Sequence, residues 1–350
     1  MMERECFSGE EKECMVRELI QSSAARETSV KNAVLTRKKY KMARGMKEVV
    51  AACLIGALLL TGVTGANASE LLKSVPDVFG QIFKLSGDDK ELAEEMGTSL
   101  GNAAVAKGIR VTADAVLADS YAYAVVFSIE REDGKTLGDA EALTPDGWGF
   151  DSFKTKNVNQ KEGDTAWGRC YSYDENPKDA AIQYVMIFSN SQERKAGDIM
   201  TICLSDLHHL DKMGGRDYTE NGDWSLEISI PKSLGKAVDS GEKRTVNVEG
   251  NEFVIDQISI SPLSYHLVIS MKKDNGVDAE NAADLLLEQC VMELELKDGE
   301  KIVLEDGGYA VKENGSSIQF VYGHIFRQLF HLDEIKAIRI GSLEIPVSFE

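Results

Sequence analysis

The chain has 350 residues, enough for about two domains, with 43% hydrophobic and 28% charged positions, a balance that suits globular folding and excludes wholesale disorder. Its 39 Lys and Arg face 58 Asp and Glu, and the net charge of -19 argues against nucleic acid, whose phosphates require a basic face. Six cysteines are too few for a disulfide scaffold.

The charge is uneven. Residues 1–48 hold 11 basic and 8 acidic groups, residues 49–68 hold none, and residues 69–350 hold 28 basic and 50 acidic groups. The bridge reads VVAACLIGALLLTGVTGANA. As a helix, these twenty residues span about 30 Å, the thickness of a bilayer hydrocarbon core. Arg37, Lys38, Lys39, Lys41, Arg44 and Lys47 stand directly before it. Such a basic flank stays cytoplasmic, so the expected topology is a tail over 1–48 inside, a transmembrane helix over 49–68 and the acidic body outside. Two other readings remain. Met42 or Met46 starts a signal peptide cleaved after Ala68, within the small-x-small pattern Ala66-Asn67-Ala68, or the run is a buried soluble helix. An uncleaved anchor fits best, because the tail is far longer than an ordinary signal-peptide n-region. Cys53 lies inside the apolar run, which disfavours a lipoprotein.

In the tail, Met15, Val16, Leu19 and Ile20, then Val30, Ala33 and Val34, approximate a helical stripe too short to bury its own face, so the segment either stays labile or docks on a cytosolic protein partner. Juxtamembrane helices are expected over 69–107. The first runs over 69–85, where Leu71, Leu72, Val75, Val78, Phe79, Ile82 and Phe83 recur at helical steps. The second runs over 88–106, with Asp88 as cap and Gly108 closing it. From Ile109 the period changes to two. Ile109, Val111 and Ala113, then Tyr121, Tyr123, Val125, Phe127 and Ile129, predict two strands, the second ending at the Asp133-Gly134 turn. Further strands are expected over 181–188, 199–207 and 224–230, giving a first β-sandwich over 108–231. Residues 232–243 read as a linker. A second β-sandwich over 244–350 follows from strands near 246–248, 253–260, 267–269, 292–296, 302–304 and 318–322, a short helix over 279–289 and a closing hairpin around Gly341-Ser342. The fold class is therefore mainly β: two immunoglobulin-like antiparallel sandwiches outside a single N-terminal transmembrane helix.

No residue constellation identifies a reaction, and no catalytic residue, metal or cofactor is expected. Gly97-Thr98-Ser99-Leu100-Gly101 spells the nucleophile-elbow string, but that string needs a strand before it, whereas ELAEEM reads as helix. His208 and His209, between Asp206 and Asp211, are the densest metal-like group. On a strand they point to opposite faces, and a solvated turn is the favoured placement. Asp217, Glu220, Asn221 and Asp223, and again Asp274, Asn275, Asp278 and Glu280, are oxygen-rich but lack calcium-loop spacing. Cys170 and Cys203 share the first sandwich and are candidates to pair, leaving Cys290 odd; buried free thiols are the plainer reading. Trp148, Phe150, Phe153 and Trp167 concentrate aromatics in a Gly- and Asp-rich region, either a ligand surface for glycan or peptide or filling under a long loop.

The order of these parts resembles a family of Gram-positive bacterial membrane proteins, the domain of unknown function 4179 family. The resemblance is carried by the basic cluster and span, by VPDVFGQIFKLSGDDKELAEEMGTSLGNAAVAKGIRVTADAVLADSYAYAVVFSIE (75–130), and by GDWSLEISI (222–230) and ISISPLSY (258–265). It implies a short cytoplasmic tail, one span and an extracytoplasmic sensor at the cell envelope, an anti-sigma-factor-like layout. The zinc-binding anti-sigma motif of histidine and paired cysteines is absent from this sequence. The functional expectation is a membrane-anchored extracytoplasmic sensor or binding protein, regulating a cytosolic partner such as a sigma factor. The alternative is a passive cell-surface structural or adhesion module. An envelope hydrolase is the weakest reading.

Overall fold

Alternation of apolar and polar residues from Ile109 onward does set the architecture: the chain is mainly β, and among the described residues every strand pair is antiparallel. The computed structural model describes residues 72–350 except 138–144, 158–164, 177–179, 233, 235–237, 241–242, 249, 274–278, 280–281, 284–285, 287–291, 305–306, 342 and 348–350. The expected span, the tail and the basic residues Arg37, Lys38, Lys39, Lys41, Arg44 and Lys47 lie outside the described residues. Among the described residues no helix is long and apolar enough to cross a membrane.

Two short helices come first. In α1 (Val75–Phe79) Ser74 caps the first turn by accepting from the Asp77 amide at 3.2 Å, and Pro76 tolerates the missing donor there. The helical path ends in a tight turn in which the Leu85 amide donates to the Gly80 carbonyl at 3.0 Å and Lys84 takes φ 53°. This is the geometry that usually calls for glycine. In α2 (Asp89–Met96) the expected continuation to residue 106 does not occur. Gly97 turns extended and pairs with Leu117, and there is no room for a side chain, since a Cβ would fall 2.4 Å from Val75 Cγ1. The free edge of a sheet captures the segment that periodicity read as helix.

The strands are β1 (Gly97–Ser99), β2 (Ala103–Ala106), β3 (Ile109–Ala118), β4 (Ala122–Arg131), β5 (Trp148–Asn157), β6 (Ala166–Tyr173), β7 (Ile182–Asn190), β8 (Ile199–Leu210) and β9 (Arg216–Ser229). They form one sheet ordered β1-β3-β4-β7-β6, with β2 also on β3, and a facing sheet β5-β8-β9. Between them lies a core of Val125, Phe127, Ile129, Met186, Ile202, Leu204, Trp224 and Ile228. Trp224 is fully buried, and its Nε1 donates to the Ile109 carbonyl across the two sheets at 3.0 Å.

The second set comprises β10 (Val238–Ser240), β11 (Arg244–Val248), β12 (Asn251–Ile260), β13 (Ser264–Lys272), β14 (Met292–Leu296), β15 (Lys301–Val303), β16 (Gly308–Asn314), β17 (Ser317–Ile325), β18 (Ile335–Ile340) and β19 (Leu343–Pro346). Sheets β10-β12-β13-β17-β16, with β11 on β12, and β15-β14-β18-β19 enclose their own core around Phe253, Ile269, Phe320, Leu294 and Ile338. Ala282, Ala283 and Leu286 are helical and buried in it, where a short helix was expected. The expected linker, 232–243, is not wholly linker, because β10 falls within it and pairs with β12.

A third apolar cluster joins these parts. The strand faces of β3 and β4 that turn away from the first core carry Ala115, Leu117, Ala122, Ala124 and Val126. They are covered by Phe79, Phe83, Ala93 and Met96 of the helical segment and by Leu263, Ile325 and Leu329 of the second sheet pair. Strands β3 and β4 are thus buried on both faces, which an alternating pattern alone does not announce.

Candidate functional site

The four aromatics read as either a ligand surface or filling under a loop do not share one surface. Trp148 and Phe150 are 4% and 8% exposed and belong to the first core. Trp148 meets His209 and Tyr218 edge-on at 5.1 and 5.3 Å, and Phe150 meets Tyr184 and Trp224 at 5.1 and 5.7 Å. Phe153 remains 39% exposed beside Phe188. Trp167 faces the second sheet pair instead. The physical reason is that the region expected to be a loop forms β5 and β6, and strands direct their large side chains into the core.

His208 and His209 lie on β8, not in a solvated turn, and both are buried. An irregularity at Asp206, with φ 55°, precedes them. His208 Nδ1 then stands 2.9 Å from Asp151, which also holds Arg216 at 2.6 Å, whereas His209 Nδ1 pairs with Asp217 at 2.7 Å. Each imidazole has its own carboxylate, and among the described residues no cluster could hold a metal ion. The oxygen-rich group Asp217, Glu220, Asn221 and Asp223 is part of β9, and residues 274–278 and 280 lie outside the described residues. Ser99 stands in β1 after a helix, and its hydroxyl donates to the Lys73 carbonyl at 2.8 Å, so the strand-turn-helix context of a nucleophile elbow is missing. Cys170 and Cys203 are free thiols on strands of opposite sheets. Burial pushes the Cys170 thiol up to about 11, against the pull of its hydrogen bond with Tyr184. Cys290 lies outside the described residues.

The densest set of buried polar contacts is where the two sheet pairs meet. Asp119, in the β3–β4 turn, is 1% exposed. Its Oδ1 accepts from the amides of Tyr121 and Ala122 at 2.7 and 2.6 Å, which shapes the turn. Its Oδ2 accepts from the hydroxyls of Ser261 and, at 2.5 Å, Ser264, both in the β12–β13 turn of the other sheet pair. Burial raises the Asp119 carboxyl above its ordinary value, and the four donors pull the other way. Beside it the Tyr121 ring stacks on His266 of β13, centroids 3.8 Å apart and planes within 10°, while Gln257 donates to the Tyr121 hydroxyl at 3.3 Å. Further along, Trp167 Nε1 donates to the Gly323 carbonyl at 2.7 Å. Its indole lies against the paired glycines 308 and 323, and a Cβ on Gly308 would fall 2.0 Å from Trp167 Cδ1. His331 Nε2 meets Asp89 at 3.2 Å and ties the second sheet pair to α2.

None of Asp119, Tyr121, Ser261, Ser264 or His266 was picked out as a site residue from sequence, though the signal lay in two of the stretches that carried the resemblance. Asp119 and Tyr121 belong to LADSY, and Ser261 and Ser264 to ISISPLSY. These two stretches bond to each other.

The chain is thus an antiparallel β protein of two double-sheet halves fastened through a buried polar and apolar junction. Residues 39–131 match the model of the family described as Domain of unknown function (DUF4179). The match covers the β3–β4 turn with Asp119 and Tyr121. No curated protein matches the chain. One solved structure, titled "The crystal structure of the conserved domain protein from Bacillus anthracis", is similar at 13% identity with a TM-score of 0.45, over 70% of this chain and 76% of that one.

Proposed function

We propose that the chain is a single-pass membrane protein with a cytoplasmic tail over 1–48, a span over 49–68 and an extracytoplasmic body. In this reading each double-sheet half is an immunoglobulin-like β-sandwich, and the body senses or binds an envelope ligand and regulates a cytosolic partner of the tail, such as a sigma factor. One observation carries the proposal. An uncharged twenty-residue run behind six basic groups is followed, after six residues, by α1, and the buried face of α1 is packed in the cluster shared by both sheet pairs. A ligand that shifts the junction therefore acts on the polypeptide running toward the span. The strong negative charge of the body opposes close approach to anionic lipid or wall polymer, which keeps it off the surface it stands on.

Protease treatment of intact cells tests the topology. Digestion of the 69–350 body with survival of the tail is expected, and protection of the body overturns the reading. Capture from cell lysate with residues 1–48 tests the relay, and an empty capture leaves the passive surface module as the better account.

A further inference from the structure

His266 is a buried side chain of the junction whose charged form the fold does not use. It is 3% exposed, and its ring nitrogens meet no side-chain partner, only the Ser191 main chain. A phenylalanine would stack on Tyr121 as well, without the cost of burying polar ring atoms. What an imidazole adds is a proton-binding group whose charge changes in mildly acidic water.

We propose that the junction between the two sheet pairs is an acid-opened hinge, with His266 as its titrating group and the Tyr121–His266 stack as the contact that breaks. The surroundings favour this. Tyr121 covers one ring face from the β3–β4 turn, and the residues paired with His266 across β12 and β17 are Ser259 and Gly323, both uncharged. After burial itself, a hydrogen bond with the Ser191 main chain favours protonation, and Lys312, on β16, adds a positive charge that opposes it. Arg194, whose amide bonds the Ser120 carbonyl at 2.6 Å, brings a second positive charge beside the same turn, held by Asn190 and the Tyr123 ring. Asp119, in the β3–β4 turn, has its oxygens occupied by their four donors. Among the described residues no carboxylate acts on His266, so an imidazolium formed here lacks a counter-ion and reaches water when Tyr121 swings away. Opening also uncovers Leu263, Ile325 and Leu329, the residues that clamp the helical segment.

The direction in pH follows from burial, which holds His266 down at about 4 against its ordinary 6.5. A depressed value means that the closed junction takes the neutral ring. Its contribution to closure is present above 6.5 and is lost as the pH falls toward 4. Between pH 7 and pH 5 the ratio of open to closed junction rises on the order of 25-fold through this group alone. Asp119 acts with the opposite sign, because acid relieves the burial of its carboxylate. The two effects separate by substitution.

Hydrogen exchange of the 350-residue chain, corrected for the intrinsic pH dependence of amide exchange, reads the hinge directly. The comparison is wild type against His266→Phe, which keeps the stack and removes the titration. From pH 7 to pH 5, amides of the β3–β4 and β12–β13 turns and of α1 and α2 should lose protection on the order of 25-fold in wild type relative to the variant. Those of the β4 and β12 interiors should not. Equal pH profiles in the two proteins overturn the proposal. Should the variant fail to fold, an NMR titration of the His266 ring in wild type decides. A midpoint well below 6 that coincides with loss of turn protection supports the hinge, and any other outcome overturns it.

Discussion

Replacing Asp119 by alanine removes a buried acceptor that takes donors from both halves of the molecule. Four donors converge on its carboxylate: the amides of Tyr121 and Ala122 at 2.7 and 2.6 Å, the Ser264 hydroxyl at 2.5 Å and the Ser261 hydroxyl. A net hydrogen bond to a charged group contributes about 1.5–3 kcal/mol, and a buried donor left unpaired costs about 1–3 kcal/mol. The serine hydroxyls can rotate to other acceptors, and Ser261 already has the Ser264 carbonyl at 3.3 Å. The two turn amides have no such freedom. Against these losses stands relief of the buried carboxylate's desolvation, so the net cost of Asp119→Ala is about 3–5 kcal/mol. Ser261→Ala and Ser264→Ala should each cost about 1–2 kcal/mol, and the triple change should cost less than the sum, because all three act on one network. Urea unfolding followed by tryptophan emission measures this, with Asp119→Asn as the isosteric control at an intermediate cost. Should Asp119→Ala cost under about 1 kcal/mol, the carboxylate is not what fastens the two halves.

Four further outcomes follow from the geometry. Gly308→Ala drives a Cβ to 2.0 Å from Trp167 Cδ1, so the indole must leave Gly323; a cost of about 2–4 kcal/mol and red-shifted tryptophan emission are expected, and unchanged emission would contradict the contact. Trp148→Ala should cost about 3–5 kcal/mol but Phe153→Ala no more than about 1.5, in keeping with 4% and 39% exposure; comparable costs in thermal unfolding would refute the assignment of Trp148 to the core. With its thiol at about 11, Cys170 stays protonated at pH 8, about one molecule in a thousand carrying the thiolate, and reactivity should rise only as the pH approaches 11. Mass mapping after alkylation of the folded chain at pH 8 checks this, and prompt labelling of Cys170 would refute it. Ser99→Ala removes a hydroxyl bond to the Lys73 carbonyl and should cost about 1 kcal/mol; any hydrolytic activity found in the chain should survive it, and abolition of that activity would restore Ser99 as a nucleophile.

Where one face of a strand meets a core and the other meets water, period two is visible, and β8 and the end of β9 were legible for that reason; β3, β4 and β7 are buried on both faces for most of their length and were legible from their runs of β-branched, aromatic and other apolar residues. Strands β5 and β6 were not, because Asp151, Ser152, Lys154 and Lys156, and then Gly168, Arg169 and Ser172, dilute the apolar signal with residues that face solvent or pair across strands. The helix expected over 88–106 stopped at Met96 because pairing with β3 outweighs local helical preference once Gly97 allows the backbone to pass against Val75. The histidine pair was misplaced for a related cause: nothing local distinguishes a polar turn from a strand whose imidazoles are each matched by a carboxylate on a neighbouring strand, Asp151 for one and Asp217 for the other.

Composition and order along the chain by themselves determined the uneven charge, the uncharged run over 49–68 with its basic flank, the dominance of antiparallel β structure and the resemblance that the family match bears out. These are properties of residues near one another in sequence, and local periodicity and charge sums report them fully. Only the tertiary structure decided that Trp148 and Phe150 are core while Trp167 joins the two sheet pairs, that β3 and β4 are buried on both faces, and that Asp119, Tyr121, Ser261, Ser264 and His266 form one site. Asp119 and Ser264 are 145 positions apart. A carboxylate reads as solvated until the fold removes water from it, and the hydroxyls that replace that water come from a turn in the other half of the molecule.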